Sequence, residues 1–268
     1  MCQKNRPCDI IFFIMMGIFI FNPLQSTISI ITFAQENVQQ TQTSNQNQTI
    51  VIDIEEDETL TCMELGKELF FEQKYQDAIK QLEQCLPQEP ENPEIYYYIG
   101  QSYFEQGQLS AQKKNIISAT KYYRQAYQIS EIAIEKYLKL IEENPDSDHT
   151  NDYLRLAYIY EIRSYAPGVD ELQKAIDIYE KLLEEKPYLN YAHYHLGWIY
   201  YQQKDYQNAI DSFLAYLKPG FKNDFVYYYL GLSYDKIGES EQAKYYFQLI
   251  LDEFPDSVMA SYAKKELK

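Results

Sequence analysis

The residues able to do chemistry are few and badly spaced for it. The three histidines are His149, His193 and His195. His193 and His195 are separated by one residue, so on a helix they point apart and make a poor metal pair. The four cysteines, Cys2, Cys8, Cys62 and Cys85, form no C-x-x-C pair, and no H-E-x-x-H, G-x-S-x-G, phosphate-loop or dinucleotide fingerprint occurs. Acidic pairs such as Glu142-Glu143 and Glu184-Glu185 fall where helices should end and read as solvated charge. No catalytic residue, metal site or cofactor is expected, so the chain does not read as an enzyme. Aromatic residues, by contrast, are abundant: 28 Tyr, 13 Phe and the single Trp198. Such rings fill a core or supply contact area, and their period decides which.

Only 9 Gly in 268 residues, with abundant Glu, Lys, Gln, Leu and Ala, favours helices over a turn-rich β fold. A net charge of −16 would repel a phosphate backbone, so nucleic-acid binding is not expected. At the N-terminus, Lys4 and Arg6 precede the apolar run IIFFIMMGIFIF from Ile10 to Phe21. That run suits a secretory h-region and is short for a membrane span. Small residues at Thr32 and Ala34 place a cleavage site after Ala34, making residues 1–34 a signal peptide. The competing reading is an uncleaved anchor, and it is the only membrane contact expected. Both readings export the rest of the chain, to a periplasmic or extracellular location. Residues 35–58 are polar and then acidic, with little to bury, and read as a disordered linker.

Beyond residue 58 the chain is periodic. Gly66 and Gly100 stand at the same separation as Gly197 and Gly231. An alanine follows three of these glycines at one fixed interval, at Ala78, Ala209 and Ala243, with Leu82, Phe213 or Phe247 one helical turn later. Pro90 and Pro255 close two of the units. Tyr227, Leu230, Gly231 and Tyr234 form one face of a helix, and Ala243, Phe247 and Ile250 one face of a second. The glycine and alanine are small where the two helices approach, with Gly238 breaking the first and Ser240 available to cap the second. One such pair cannot bury both faces alone, so neighbours must stack. This pattern resembles the tetratricopeptide repeat family, whose unit is about 34 residues long. The resemblance implies an all-α, right-handed α-solenoid of about five helix-turn-helix repeats over residues 59–268. The repeats fall at 59–92, 93–145, 150–187, 190–223 and 224–257, with a capping helix at 258–268.

Two repeats depart from the period. In the second, the closing Ala133, Tyr137, Leu140 and Pro145 arrive late. Ala119, Tyr123 and Ala126 repeat the same spacing earlier in the chain, at an offset of nearly four turns. One long second helix from about Asn115 to Glu143 is expected, the alternative being a split near Gln128. In the third repeat Ala157 replaces the glycine. Six extra residues surround Ala166-Pro167-Gly168, with Asp170 and Gln173 resembling a capping box.

In related repeat proteins the concave face is lined by positions 2, 5, 9, 12 and 13 of the first helix. Carried onto this chain, those positions give groove candidates Phe70, Tyr97, Phe104 and Tyr158 from the first three repeats. The fourth adds Tyr191, Tyr194, Trp198 and Tyr201, and the fifth Tyr228. The alternative is that these rings pack between adjacent first helices. Family members that clamp a peptide carboxylate use groove Lys, Arg and Asn; here only Lys67, Asn151 and Lys236 fall on the stripe. In the first repeat, Cys62 and Cys85 occupy the start of one helix and the end of its antiparallel partner. They form either a disulfide in an oxidising compartment or two buried thiols. The function implied is a non-catalytic scaffold that binds a peptide or protein partner in an aromatic groove. A glycan ligand and self-assembly are the alternatives.

Overall fold

The computed structural model describes residues 61–164, 171–218 and 220–268. The expected signal segment, the linker, and the loop carrying Ala166, Pro167, Gly168 and Asp170 lie outside the described residues. Among those described there are eleven helices and no strand. They group into two compact units that divide after Leu140.

The first unit opens with α1 (Cys62–Phe71) and α2 (Tyr75–Cys85). Helix α1 starts at a capping box: the Thr61 hydroxyl accepts from the Glu64 amide while the Glu64 carboxylate accepts from the Thr61 amide. The two helices run antiparallel, since the Cys62 and Cys85 sulfurs, at the start of one and the end of the other, are bonded at 2.09 Å. Gly66 explains how closely they lie. A Cβ on it would meet Leu82 Cδ2 at 2.5 Å, well inside van der Waals contact. Leu82, Ile79 and Cys85 of α2 then continue into one core with Ile95, Tyr98 and Ile99 of α3 (Pro93–Gln112). Asn92 caps α3 through the Glu94 amide, with Pro93 at its first position.

Helix α4 (Ile116–Glu143) is one continuous helix of 28 residues with no break near Gln128. The sequence reading assigns the whole insertion to this helix, and here the structure differs. Helix α3 is also lengthened, to 20 residues against 13 for the undisturbed first helices of the second unit. Gly107 shows how the extra turns pair. It lies seven residues beyond Gly100, and a Cβ there would meet Tyr123 Cε1 at 2.6 Å. Gly100 itself faces Ile129 with room for a methyl, its Cβ position lying 3.6 Å from Ile129 Cγ2. The tight glycine-to-ring contact of this pair has therefore moved two turns along the helix. Ala119, Ala126 and Ala133 follow at seven-residue spacing on α4, and all three are buried.

The second unit contains α5 (Thr150–Ser164), α6 (Leu172–Glu185), α7 (Asn190–Gln202), α8 (Tyr206–Leu217), α9 (Asp224–Lys236), α10 (Ser240–Glu253) and α11 (Val258–Glu266). The glycine rule returns here. Gly197 on α7 faces Phe213 on α8, and Gly231 on α9 faces Phe247 on α10, each with less than 3 Å for a Cβ. Both rings are buried. Gly238, at φ 87°, ends α9 in the left-handed region that glycine enters without strain. Ser240 does not cap α10: it is the first helical residue, and Glu239 stands at the cap with no side-chain bond. Gln173 bonds Asp177 within α6, whose cap position is held by Glu171. Helix α11 packs on α9 and α10, with Ser257 accepting from the Ala260 amide at its start.

Candidate functional site

In the first unit the candidate rings are half-buried and supported from behind. Phe70, at the end of α1, lies 5.3 Å from the buried Tyr98, 5.5 Å from Phe71 and 5.6 Å from Tyr75, centroid to centroid. Tyr97 stands edge-on to Tyr98 at 5.1 Å, and Phe104 lies 5.7 Å from Tyr123. Lys67 is not a free anion receptor, because its Nζ pairs with Glu94 at 2.9 Å and lies 5.6 Å from the Tyr98 ring centre. Burial pushes the Tyr75 and Tyr123 phenols up to about 12, and the nearby Glu105 charge adds to both shifts.

The second unit corrects part of the expected groove. Tyr194 and Trp198 are buried, at 2% and 4% exposure, and present no face to a ligand. Their cover comes from the next first helix: Phe225 of α9 lies 5.6 Å from Tyr194 and 5.4 Å from Trp198, and Tyr229 lies 5.0 Å from Trp198. Two bulky residues on α9 fill the gap between adjacent first helices, so the positions that line a groove elsewhere are core here. Tyr191 is the most open candidate, at 37% exposure. Tyr158, Tyr201 and Tyr228 are half-buried. Tyr201 sits 4.7 Å from Tyr229, and Tyr228 meets Tyr262 of the capping helix at 5.9 Å. Burial, followed by neighbouring charge on Glu266, raises the Tyr228 phenol above its ordinary range. Asn151 is exposed, and Lys236 is exposed beside Asp235 at 3.2 Å.

Beneath Tyr191 lies a polar cluster that the spacing does not reveal. His195 Nδ1 and Glu161 Oε2 are 2.7 Å apart, with both side chains under 5% exposed. The Tyr179 hydroxyl donates to the same carboxylate at 3.4 Å, and the Tyr179 ring stacks on the imidazole at 5.6 Å. Tyr191, Tyr158 and Tyr194 approach the imidazole from other sides, at 4.3, 5.2 and 5.2 Å. A histidine beside a carboxylate is also a catalytic arrangement, but this one is sealed by rings, and its hydroxyl is a buried tyrosine rather than a nucleophile open to substrate. It holds α5, α6 and α7 together. The signal in the sequence was a carboxylate, Glu161, at a groove position of the third repeat. Nothing local marked His195 as its partner. His193 is separate, with Nε2 3.0 Å from the Pro187 carbonyl. No group of three potential metal ligands occurs among the described residues, and no described helix is long and apolar enough to cross a membrane.

The glycine-and-ring hairpins carry the family assignment. Family models described as tetratricopeptide repeat match residues 100–132, 169–223 and 225–257, and one described as TPR repeat matches 66–107, together more than half of the chain. The chain belongs to the tetratricopeptide-repeat family. A thermophilic TPR protein of Thermus thermophilus shares the fold at 16% identity and a TM-score of 0.55, over 77% of this chain and 97% of that one. YrrB, described as a TPR protein with an unusual peptide-binding site, aligns at 15% identity and a TM-score of 0.47, over 76% and 90% of the two chains. PilW, described as a widely conserved type IV pilus biogenesis factor, aligns at 15% and 0.46, over 76% and 96%. No curated protein matches the sequence. Tetratricopeptide-repeat domains are generally non-catalytic and typically bind protein or peptide partners. The architecture of this repeat protein, all-α and built from stacked helical pairs, is that of an interaction scaffold.

Proposed function

We propose that this tetratricopeptide-repeat protein is a non-catalytic scaffold that binds an extended peptide or protein segment outside the cytoplasm. The observation that carries the reading is the two-layer arrangement of rings on the first helices. Exposed or half-buried rings stand on buried ones: Phe70 and Tyr97 on Tyr98, Tyr201 on Trp198 and Tyr229, and Tyr191 on the His195 cluster. A ring held from behind offers contact area with little rotamer entropy left to lose, which favours its use in recognition. Export is supported by the basic and apolar pattern of residues 1–34 and by the Cys62–Cys85 bond, which suits an oxidising compartment.

The test is selection of peptides from a random library displayed to the full chain, followed by affinity measurement on Tyr158→Ala/Tyr191→Ala and Phe70→Ala/Tyr97→Ala variants. Each pair should weaken the peptides seated on its own unit by about tenfold or more, since aromatic hot spots contribute ~1–2 kcal/mol each. Failure to select any peptide overturns the reading. Retardation in polysaccharide gels, or mass that rises with concentration in light scattering, would redirect it to a glycan ligand or to self-assembly.

A further inference from the structure

The insertion in the second repeat creates a feature that the regular repeats lack. Five residues after the glycine, α1 ends at the exposed Phe71, α7 at the half-buried Gln202 and α9 at the exposed Lys236. The same place in α3 is Glu105, but there the helix runs on to Gln112. The added turns bring Tyr123 of α4 over this part of α3, where it meets Phe104 and the Gly107 backbone. Tyr75, at the start of α2, is in contact with Phe70. Glu105 is half-buried on this stretch of α3, and its charge helps raise the Tyr75 and Tyr123 phenols.

Two polar groups in this place lack a counterpart. Among the described residues no lysine, arginine or histidine pairs with Glu105. Burial alone pushes its carboxyl up to about 7, with no nearby cation to bring it down. One turn earlier on the same stripe, the Gln101 side chain is only 5% exposed and its Nε2 donates to nothing. A buried donor without an acceptor and a shielded carboxyl without a cation are both costly in a finished core. The second cost is removed by a bound segment whose cationic side chain reaches Glu105. The nearby tyrosine rings suit that cation, since a guanidinium or ammonium is also attracted to ring faces.

We propose that Glu105, with the rings of Tyr75, Phe104 and Tyr123 near it, is a receptor for an arginine or lysine side chain of the bound segment. This rests on the reading that the first unit receives a protein segment. The net charge of −16 favours approach of such a basic partner.

The test uses the full chain with its tyrosine rings isotopically labelled. It is titrated with N-acetylarginine amide and, separately, with its neutral isostere N-acetylcitrulline amide, and followed by NMR. The arginine compound should shift the Tyr75 and Tyr123 rings and bind at least about tenfold tighter than the citrulline compound. Glu105→Gln, which keeps the shape and removes the charge, should bring the two affinities together. Equal affinities for the wild-type protein overturn the proposal, as does an arginine preference that survives in Glu105→Gln. If the variant fails to fold, the ratio on the wild-type protein decides. Peptides that bind the first unit with no preference for a basic residue, together with an arginine-to-citrulline ratio of one, overturn this inference alone. Failure to select any peptide strikes the scaffold reading instead, and the arginine titration still reports on Glu105.

Discussion

Helix α3 offers a controlled test of the glycine rule, because two of its buried glycines differ only in what stands opposite. Converting either to alanine recovers ~1 kcal/mol of helix propensity. At Gly100 the new methyl lands 3.6 Å from Ile129 Cγ2, an ordinary contact, so Gly100→Ala should stabilise the first unit by about that amount. At Gly107 the methyl lands 2.6 Å from Tyr123 Cε1 and 2.7 Å from Cδ1, so a half-buried ring must retreat by about 1 Å. Overpacking of this kind costs ~1–3 kcal/mol. Tyr123 has an open side, which places Gly107→Ala near the lower end and leaves it close to neutral. Gly231→Ala in α9 is the severe case. Its methyl would lie 2.5 Å from Phe247 Cε1, in a ring that is only 3% exposed. There the upper end of the range applies, for a net loss of ~2 kcal/mol. Urea unfolding followed by circular dichroism reads all three, and the fluorescence of Trp198 reads the second unit separately. The expected order of stability change is Gly100→Ala above Gly107→Ala above Gly231→Ala. Equal shifts for the three variants would refute the claim that these glycines exist to admit the facing residue, and would leave helix propensity as their only effect.

Three further outcomes can be measured with the same material. Reducing the Cys62–Cys85 bond, whose partners are 23 residues apart, should destabilise the first unit by ~3 kcal/mol; urea midpoints with and without reductant check this, and mass spectrometry after thiol alkylation confirms the bond. Replacing His195 by Phe removes the 2.7 Å bond to the buried Glu161 side chain and should cost the second unit ~1–3 kcal/mol, read by Trp198 fluorescence. The Asp152 carboxylate, and then the Asn144 carbonyl, hold the His149 imidazolium, so its pKa lies above the ordinary value of about 6.5. Its stabilising contribution is therefore complete below that ordinary value and is lost as pH rises through the raised one; NMR titration of the His149 ring should show the raised midpoint, and Asp152→Asn should lower it.

The paired helices were legible because the residues that define them act locally. Gly231 and Phe247, or Gly66 and Leu82, lie within one hairpin, and two short antiparallel helices bring such positions together whatever the rest of the chain does. Groove positions are different. Whether Trp198 faces a ligand or a neighbour depends on Phe225 and Tyr229 in the next repeat, whose size the Trp198 stripe cannot report. The same holds for Glu161 and His195, 34 residues apart in successive repeats: each looks like an ordinary polar surface position until the other is set beside it.

The insertion shows why length matters more than identity in such a chain. Its parts come in sevens, from Gly100 to Gly107 in α3 and through Ala119, Ala126 and Ala133 in α4. Seven residues are nearly two helical turns, so each addition returns the packing face to its starting direction with a drift of about 20°. The helices lengthen without rotating out of the core, which is why Tyr123 still finds a glycine opposite it. A helical residue that would otherwise stand at a solvated end is enclosed in the process, and its side chain must be apolar, paired or reserved for something else. Ala111, farther along α3, is apolar and 6% exposed, which satisfies the first condition. Glu105 satisfies neither of the first two conditions, so the extra turns have left a half-buried, unpaired carboxyl rather than simply a longer helix.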